Sequence, residues 1–217
     1  MSILTPWGYT LTKVDALPNF LTAAEFDSFT SSKFTGDSRI AANIPAATRA
    51  IQNYCNWHIY PNLECEMVYN IHKLRDCFVG PDLLIQLPAR HITAIKSILL
   101  DAVPGELIGT WEGEETADYD LDPSGLLRIF DVGYRSRRSR IRIVYDAGLD
   151  AAQMDVLKEL TAHRVVHAVT SSYGVTSEAA GGVSVSYNVA WAGNTRATAL
   201  ADDNKEILET YRVKGVY

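Results

Sequence analysis

The stretch Arg140-Ile141-Arg142-Ile143-Val144-Tyr145-Asp146-Ala147-Gly148-Leu149 decides how the chain is read. Charged and apolar residues alternate at its start, the period-2 pattern of a strand with one face in water. Directly afterwards the period changes. Val156, Leu157, Leu160, Ala162, Val165, Val166, Ala168 and Val169 predict a helix from Ala151 to Ser172, capped by Asp150 and ended by Gly174. Those residues cover more than the ~100° stripe of an ordinary surface helix. The helix is therefore either wrapped by its own domain or covered in an assembly.

Upstream of Arg140 the strand-like character persists. Short apolar runs recur at Leu83–Leu87, Ile92–Leu100 and Leu126–Phe130. Asp122-Pro123-Ser124-Gly125 supplies a turn, because Pro sets φ and Gly permits a positive one. Residues 63–145 are thus expected to form a small antiparallel β module. Before it lie helix signals. Thr22 and Glu25 have capping-box spacing, and a second stripe runs from Gly36-Asp37 through Ile40, Ile44, Ala47 and Ile51 to Tyr54. Pro45 either kinks that second helix or marks its start. After the long helix, Gly181-Gly182 precedes the alternating Val183-Ser184-Val185-Ser186-Tyr187, an extended arm over 177–190. A final helix is expected over 195–213. The fold class that follows is α+β: a helical core from 1–62 and 146–217, carrying 63–145 as a β insertion.

Composition narrows the function classes. With 217 residues and 47% hydrophobic content the chain can bury a core, which excludes a disordered or low-complexity protein. Cys55, Cys65 and Cys77 lack the close spacing of zinc ligands and form an odd set, so they are expected to be free thiols in a reducing compartment. The N-terminus has no basic, then apolar, signal-peptide pattern, and nothing approaches ~18 consecutive apolar residues. The expectation is a soluble protein, made inside the cell, with no membrane partner.

No residue set nominates an active site. His163 and His167 are four apart on the long helix, as in zinc-protease helices, but Arg164 stands where that motif has its general-base Glu. No third ligand is evident among His58, His72 and His91. A metal-dependent hydrolase built on His163 and His167 stays an alternative, set against packing or interface histidines. Nucleophile elbows and Gly-rich phosphate loops are absent, and no cofactor is implied.

Charge is more informative than its total of −6. Residues 61–122 carry twelve acids and four bases, whereas 123–145 carry one acid and six bases. The basic stretch holds Arg135, Arg137, Arg138, Arg140 and Arg142. Three readings are open: phosphate contact without sequence reading, docking of the acidic lobe of one copy on the basic edge of another, or a solvated hairpin loop. A sequence-independent DNA-binding protein would rest on these arginines alone.

Several segments, in order, resemble the head–tail connector (adaptor) proteins of tailed bacteriophages. They are residues 50–61 (Ala50-Ile51-Gln52-Asn53-Tyr54-Cys55-Asn56-Trp57-His58-Ile59-Tyr60-Pro61) and 87–98 (beginning Leu87-Pro88). The strand 142–149 with its Tyr-x-x-Gly ending follows, then the Ser177-Glu178 to Tyr187 arm and the closing Leu208-Glu209-Thr210-Tyr211-Arg212. The likeness spans about residue 20 to the end. It implies a structural protein and not an enzyme: a ring, usually of twelve copies, beneath the portal at the DNA exit vertex. Its expected place is the virion neck, after assembly in the host bacterial cytoplasm. Its implied partners are itself, the portal, the next neck or tail-completion protein, and DNA passing through unread. Under the resemblance, Leu200, Asn204, Ile207, Leu208, Tyr211 and Arg212 are expected to dock on the portal. Gly181, Gly182, Val183, Val185 and Tyr187 form an intersubunit arm. Arg135, Arg137, Arg138, Arg140 and Arg142 line the channel or meet a neighbour.

Overall fold

The alternation at Arg140–Ala147 places a strand at the centre of a large antiparallel sheet. The computed structural model describes residues 2–70, 74, 77–105, 111–132, 140–170, 177–180, 183–186 and 202–213. In chain order the elements are β1 (Ser2–Leu4), β2 (Thr10–Thr12), α1 (Ala23–Phe29), α2 (Arg39–Cys55) and β3 (Leu63–Asn70). Next come β4 (Phe78–Val79), β5 (Asp82–Gln86), β6 (Ile92–Pro104), β7 (Trp111–Glu115), β8 (Tyr119–Leu121), β9 (Leu126–Ile129) and β10 (Arg140–Ala147). The chain closes with α3 (Asp155–Thr170), β11 (Ser177–Ala180), β12 (Val183–Ser186) and α4 (Asp202–Glu209).

Six strands form one sheet in the order β1-β2-β3-β10-β6-β7, and four form a second in the order β4-β5-β9-β8. All pairings are antiparallel. This corrects the expected fold class. The chain is mostly β, with few substantial helices, and is not a helical core carrying a small β insertion. The physical reason lies partly in the first twelve residues. β1 and β2 are three residues each, too short to show a period, and β2 is a strand because Thr10 and Leu11 pair with Glu66 and Cys65. Such distant partners leave no local trace.

The chain divides into two compact units, each assembled from separated segments. The first comprises Met1–Pro18, Cys55–Ala151 and Tyr211–Tyr217, and holds both large sheets. Along β10, Ile141, Ile143, Tyr145 and Ala147 are fully buried, while Arg142 and Asp146 on the other face are half-buried and Val144 between them is buried too. Leu83, Ile85, Leu127 and Ile129 bury the second sheet's inner face, and the Tyr69 hydroxyl donates to the Gln86 carbonyl between the sheets at 3.3 Å. The predicted turn closes β8 and β9. Gly125 has φ of +87°, its N–H donates to the Asp122 carbonyl, and the Ser124 N–H donates to the Asp122 carboxylate.

The second unit comprises Asn19–Tyr54 and Ala152–Thr210. Thr22 caps α1 as a capping box: its hydroxyl accepts from the Glu25 N–H, and the Glu25 carboxylate accepts from the Thr22 N–H at 2.8 Å. Glu25 also binds Lys158 of α3. Helix α2 continues through Pro45, which neither ends nor begins it. Helix α3 starts at Asp155, after a separate 3-10 turn at Ala151–Gln153. Leu21, Phe26, Ile40, Ile44 and Ala47 pack with Ala162, Val165 and Val169 into one apolar cluster. Among the described residues, strands β11 and β12 pair only with each other.

Candidate functional surfaces

The terminal segment expected to dock on another protein is divided. Leu200 lies outside the described residues, and Asn204 sits within α4. Ile207 is exposed, whereas Leu208 is fully buried. The helix ends at Glu209, whose carboxylate accepts from the Tyr54 hydroxyl at 2.7 Å. Tyr211 and Arg212 lie past that end, in a short tail belonging to the β-rich unit.

That tail is held by its backbone. The Trp57 indole N–H donates to the Tyr211 carbonyl at 2.7 Å, the Val213 N–H to the Cys55 carbonyl at 2.9 Å, and the Asn56 amide to the Val213 carbonyl at 3.3 Å. His91 lies between the rings of Trp57 and Tyr211, 6.4 Å from each. Trp57 and Val213 are buried as a result. The sequence reading missed Asn56 and Trp57 as tail-binding residues. Their one signal was a large aromatic in a polar segment, which names no partner.

His58, next in sequence, is also internal. Its Nε2 faces two acceptors, the carbonyls of Pro61 at 3.1 Å and Ala147 at 3.0 Å, so that nitrogen carries the proton. Nδ1 then accepts from the Tyr9 hydroxyl at 2.8 Å, and the same oxygen accepts the His58 backbone N–H at 3.0 Å. Burial pushes the ring's pKa down to about 4. With both nitrogens engaged and the ring neutral, His58 ties the N-terminal strands to the end of β10.

His163 and His167 are exposed on α3, and His163 Nε2 lies 3.6 Å from the Glu159 carboxylate. Among the described residues no group of three His, Cys, Asp or Glu side chains could hold a metal ion. His72 lies outside the described residues. Cys55 and Cys65 are buried free thiols and Cys77 is a half-buried one; burial pushes the Cys65 thiol's pKa up, away from reactivity. No described helix is long and apolar enough to cross a membrane.

The five arginines do not share one situation. Arg142 forms a bidentate pair with Glu66 on β3, Nε to Oε1 at 3.0 Å and Nη2 to Oε2 at 3.1 Å, and lies 5.8 Å from the centre of the Trp111 ring. Its fork is used within the sheet. Arg140 is exposed at the start of β10. Arg135, Arg137 and Arg138 lie outside the described residues. Of the arm, Val183 and Val185 lie in β12, while Gly181, Gly182 and Tyr187 lie outside the described residues.

Comparison with known proteins adds one result. A family model described as head completion protein matches residues 19–213. No curated protein matches the chain.

Proposed function

Because the chain belongs to the head completion protein family, a phage head–tail connector type, we propose that it forms a ring beneath the portal that extends the DNA channel and joins head to tail. Family membership places it among structural proteins of phage head assembly. The observation that carries the finer reading is the extent of the match, residues 19–213, which includes all four described helices and both large sheets apart from β1 and β2.

In this proposal α4, with Ile207 facing solvent, meets the portal. The β11–β12 hairpin lies between subunits. Among the described residues it is a two-stranded sheet, and such hairpins are marginal in water without further packing. Arg140, exposed at the start of β10, and Arg135, Arg137 and Arg138, which lie outside the described residues, meet DNA or a neighbouring subunit in this proposal. The partners are the portal, copies of the same chain, and the next neck or tail-completion protein. The site of action is the virion neck. Among the described residues no side-chain group supports the hydrolase alternative: His163 and His167 are exposed on α3, and no set of three His, Cys, Asp or Glu residues could hold a metal ion.

The test is a phage lacking this gene. It should build heads that fail to retain DNA or to join tails, with free tails accumulating in lysates seen by electron microscopy. Normal virions from such a mutant would sink the proposal.

A further inference from the structure

The tail of the chain closes the end of helix α2. A helix leaves its last carbonyls without partners inside the helix, and here Asn56, one residue past the end, turns into the left-handed region with a φ of +64°. The Cys55 carbonyl accepts from the Val213 N–H, the Asn56 amide donates to the Val213 carbonyl, and the Trp57 indole donates to the Tyr211 carbonyl. All three bonds engage the main chain of the tail. Val213, only 2% exposed, adds an apolar anchor beside them.

The seat that receives the tail is shaped from elsewhere. Ile59 has a φ of +65° and His91 a φ of +51°, a costly backbone for any side chain and most of all for a β-branched one. Such geometry persists only where the surroundings impose it. The Leu149 N–H donates to the Ile59 carbonyl at 2.7 Å, and the Gly148 N–H donates to the His91 carbonyl at 3.2 Å. Both donors belong to the two residues after β10, not to the tail. The seat therefore keeps its shape when the tail is withdrawn.

The tail, in turn, is a separable segment. It groups with the β-rich unit, whereas α4 before it groups with the other unit, so the chain passes from one to the other between Thr210 and Tyr211. Fifteen residues lie between Ser186, the last of β12, and Asp202, the first of α4. At ~3.3 Å per residue that length of chain reaches up to about 50 Å, enough to carry the end of one copy to the seat of a neighbour.

We propose that the segment from Asp202 onward exchanges between copies, so that Tyr211–Val213 of one copy seat on Cys55, Asn56 and Trp57 of a second. The occupant is known to fit, because the same three residues fill the seat within one copy. The bonds are the same in either case, and only the connection differs, so protein concentration and the geometry of assembly decide between them. Each copy offers one tail and one seat. Contacts between unlike surfaces run head to tail, the kind that closes into a ring when the rotation permits. The inference rests on the self-assembly proposed above and gives it a contact.

Complementary full-length variants test it. V213D spoils the tail and leaves the seat, because a carboxylate replaces the buried anchor; N56A/W57F spoils the seat and leaves the tail. Each alone should stay monomeric in sedimentation velocity. Their equimolar mixture should form a heterodimer at least about tenfold tighter than either variant with itself, since the intact tail of one then meets the intact seat of the other. A synthetic peptide of residues 205–217 should bind V213D and dissolve that heterodimer. A mixture that stays monomeric would overturn the exchange, whether the peptide binds V213D or not. A second measurement leaves both surfaces intact and does not depend on how well those variants fold. Full-length protein carrying Tyr211→p-benzoylphenylalanine is prepared with ordinary and with heavy nitrogen, mixed at about millimolar concentration, where contacts between copies compete with those within one, and irradiated. Mass spectrometry should find crosslinks from position 211 to the Cys55–Trp57 stretch that join ordinary to heavy chains. Crosslinks confined to chains of one isotope, or no crosslink to that stretch, would overturn the proposal. None of these outcomes bears on the gene-deletion result, so the two readings fail separately.

Discussion

At the scale of single residues, the most consequential group is His58. Its neutral ring is held by Tyr9, Pro61 and Ala147, and the pKa sits near about 4 against a usual 6.5. The unfolded chain therefore takes up the proton first as pH falls. Stability should be complete above about pH 6.5 and should decline towards about pH 4, by about 3 kcal/mol from this residue. His91, also lowered by burial and by Arg90, adds in the same direction. Glu25, Glu64 and Asp82 are lowered too, so their contributions fall away only below the ordinary carboxylate range. Urea midpoints measured across that pH range check the slope, and a flat profile above pH 5 would count against it. Tyr9→Phe removes the oxygen that serves both the ring and the His58 backbone N–H. It should cost about 2 kcal/mol in urea unfolding at neutral pH, since both partners are left buried and unpaired. From sequence, His58 was one of several scattered histidines; its partners Tyr9 and Ala147 are 49 and 89 residues away.

At the scale of elements, local signals were read correctly where the chemistry is local. The Thr22 capping box needs residues three apart and nothing else. Thr22→Ala should lower stability by about 1 kcal/mol in thermal or urea unfolding. The turn at Asp122–Gly125 is of the same kind. The reading failed where an element is defined by a partner elsewhere. β1 and β2 were assigned to a helical region, and the final helix was extended to 213 although it stops at Glu209. The residues after Glu209 continue an apolar pattern, yet Val213 is bound by Cys55 and Asn56 in place of a helical turn. Removal of residues 211–217 should expose Trp57. The expected result is a red-shifted tryptophan emission and a loss of about 3 kcal/mol in the β-rich unit's stability. An unshifted spectrum would show that the tail contributes nothing there.

At the scale of the whole molecule, both units are discontinuous in sequence, which makes the middle third dependent on the two ends. A fragment of residues 63–145 retains β3 to β10 except for the last residues of β10. It loses β1, β2, the Tyr9–His58 link and the tail. Expressed alone it should be unfolded or aggregated, with the edge of β3 stripped of β2; a dispersed amide NMR spectrum from that fragment would refute this. Sequence alone determined the strand at Arg140–Ala147, the helix that follows it, the capped α1, the turn, the split between acidic and basic segments, and the family. Each of these is written in periodicity, in short-range chemistry or in ordered motifs. Only the tertiary structure decided that the chain is mostly β, that Arg142 belongs to Glu66, and that Tyr211 and Val213 serve the sheet unit. The reason is physical: a strand, an ion pair or a docked tail is defined by what lies across from it, and here those partners are distant in the chain.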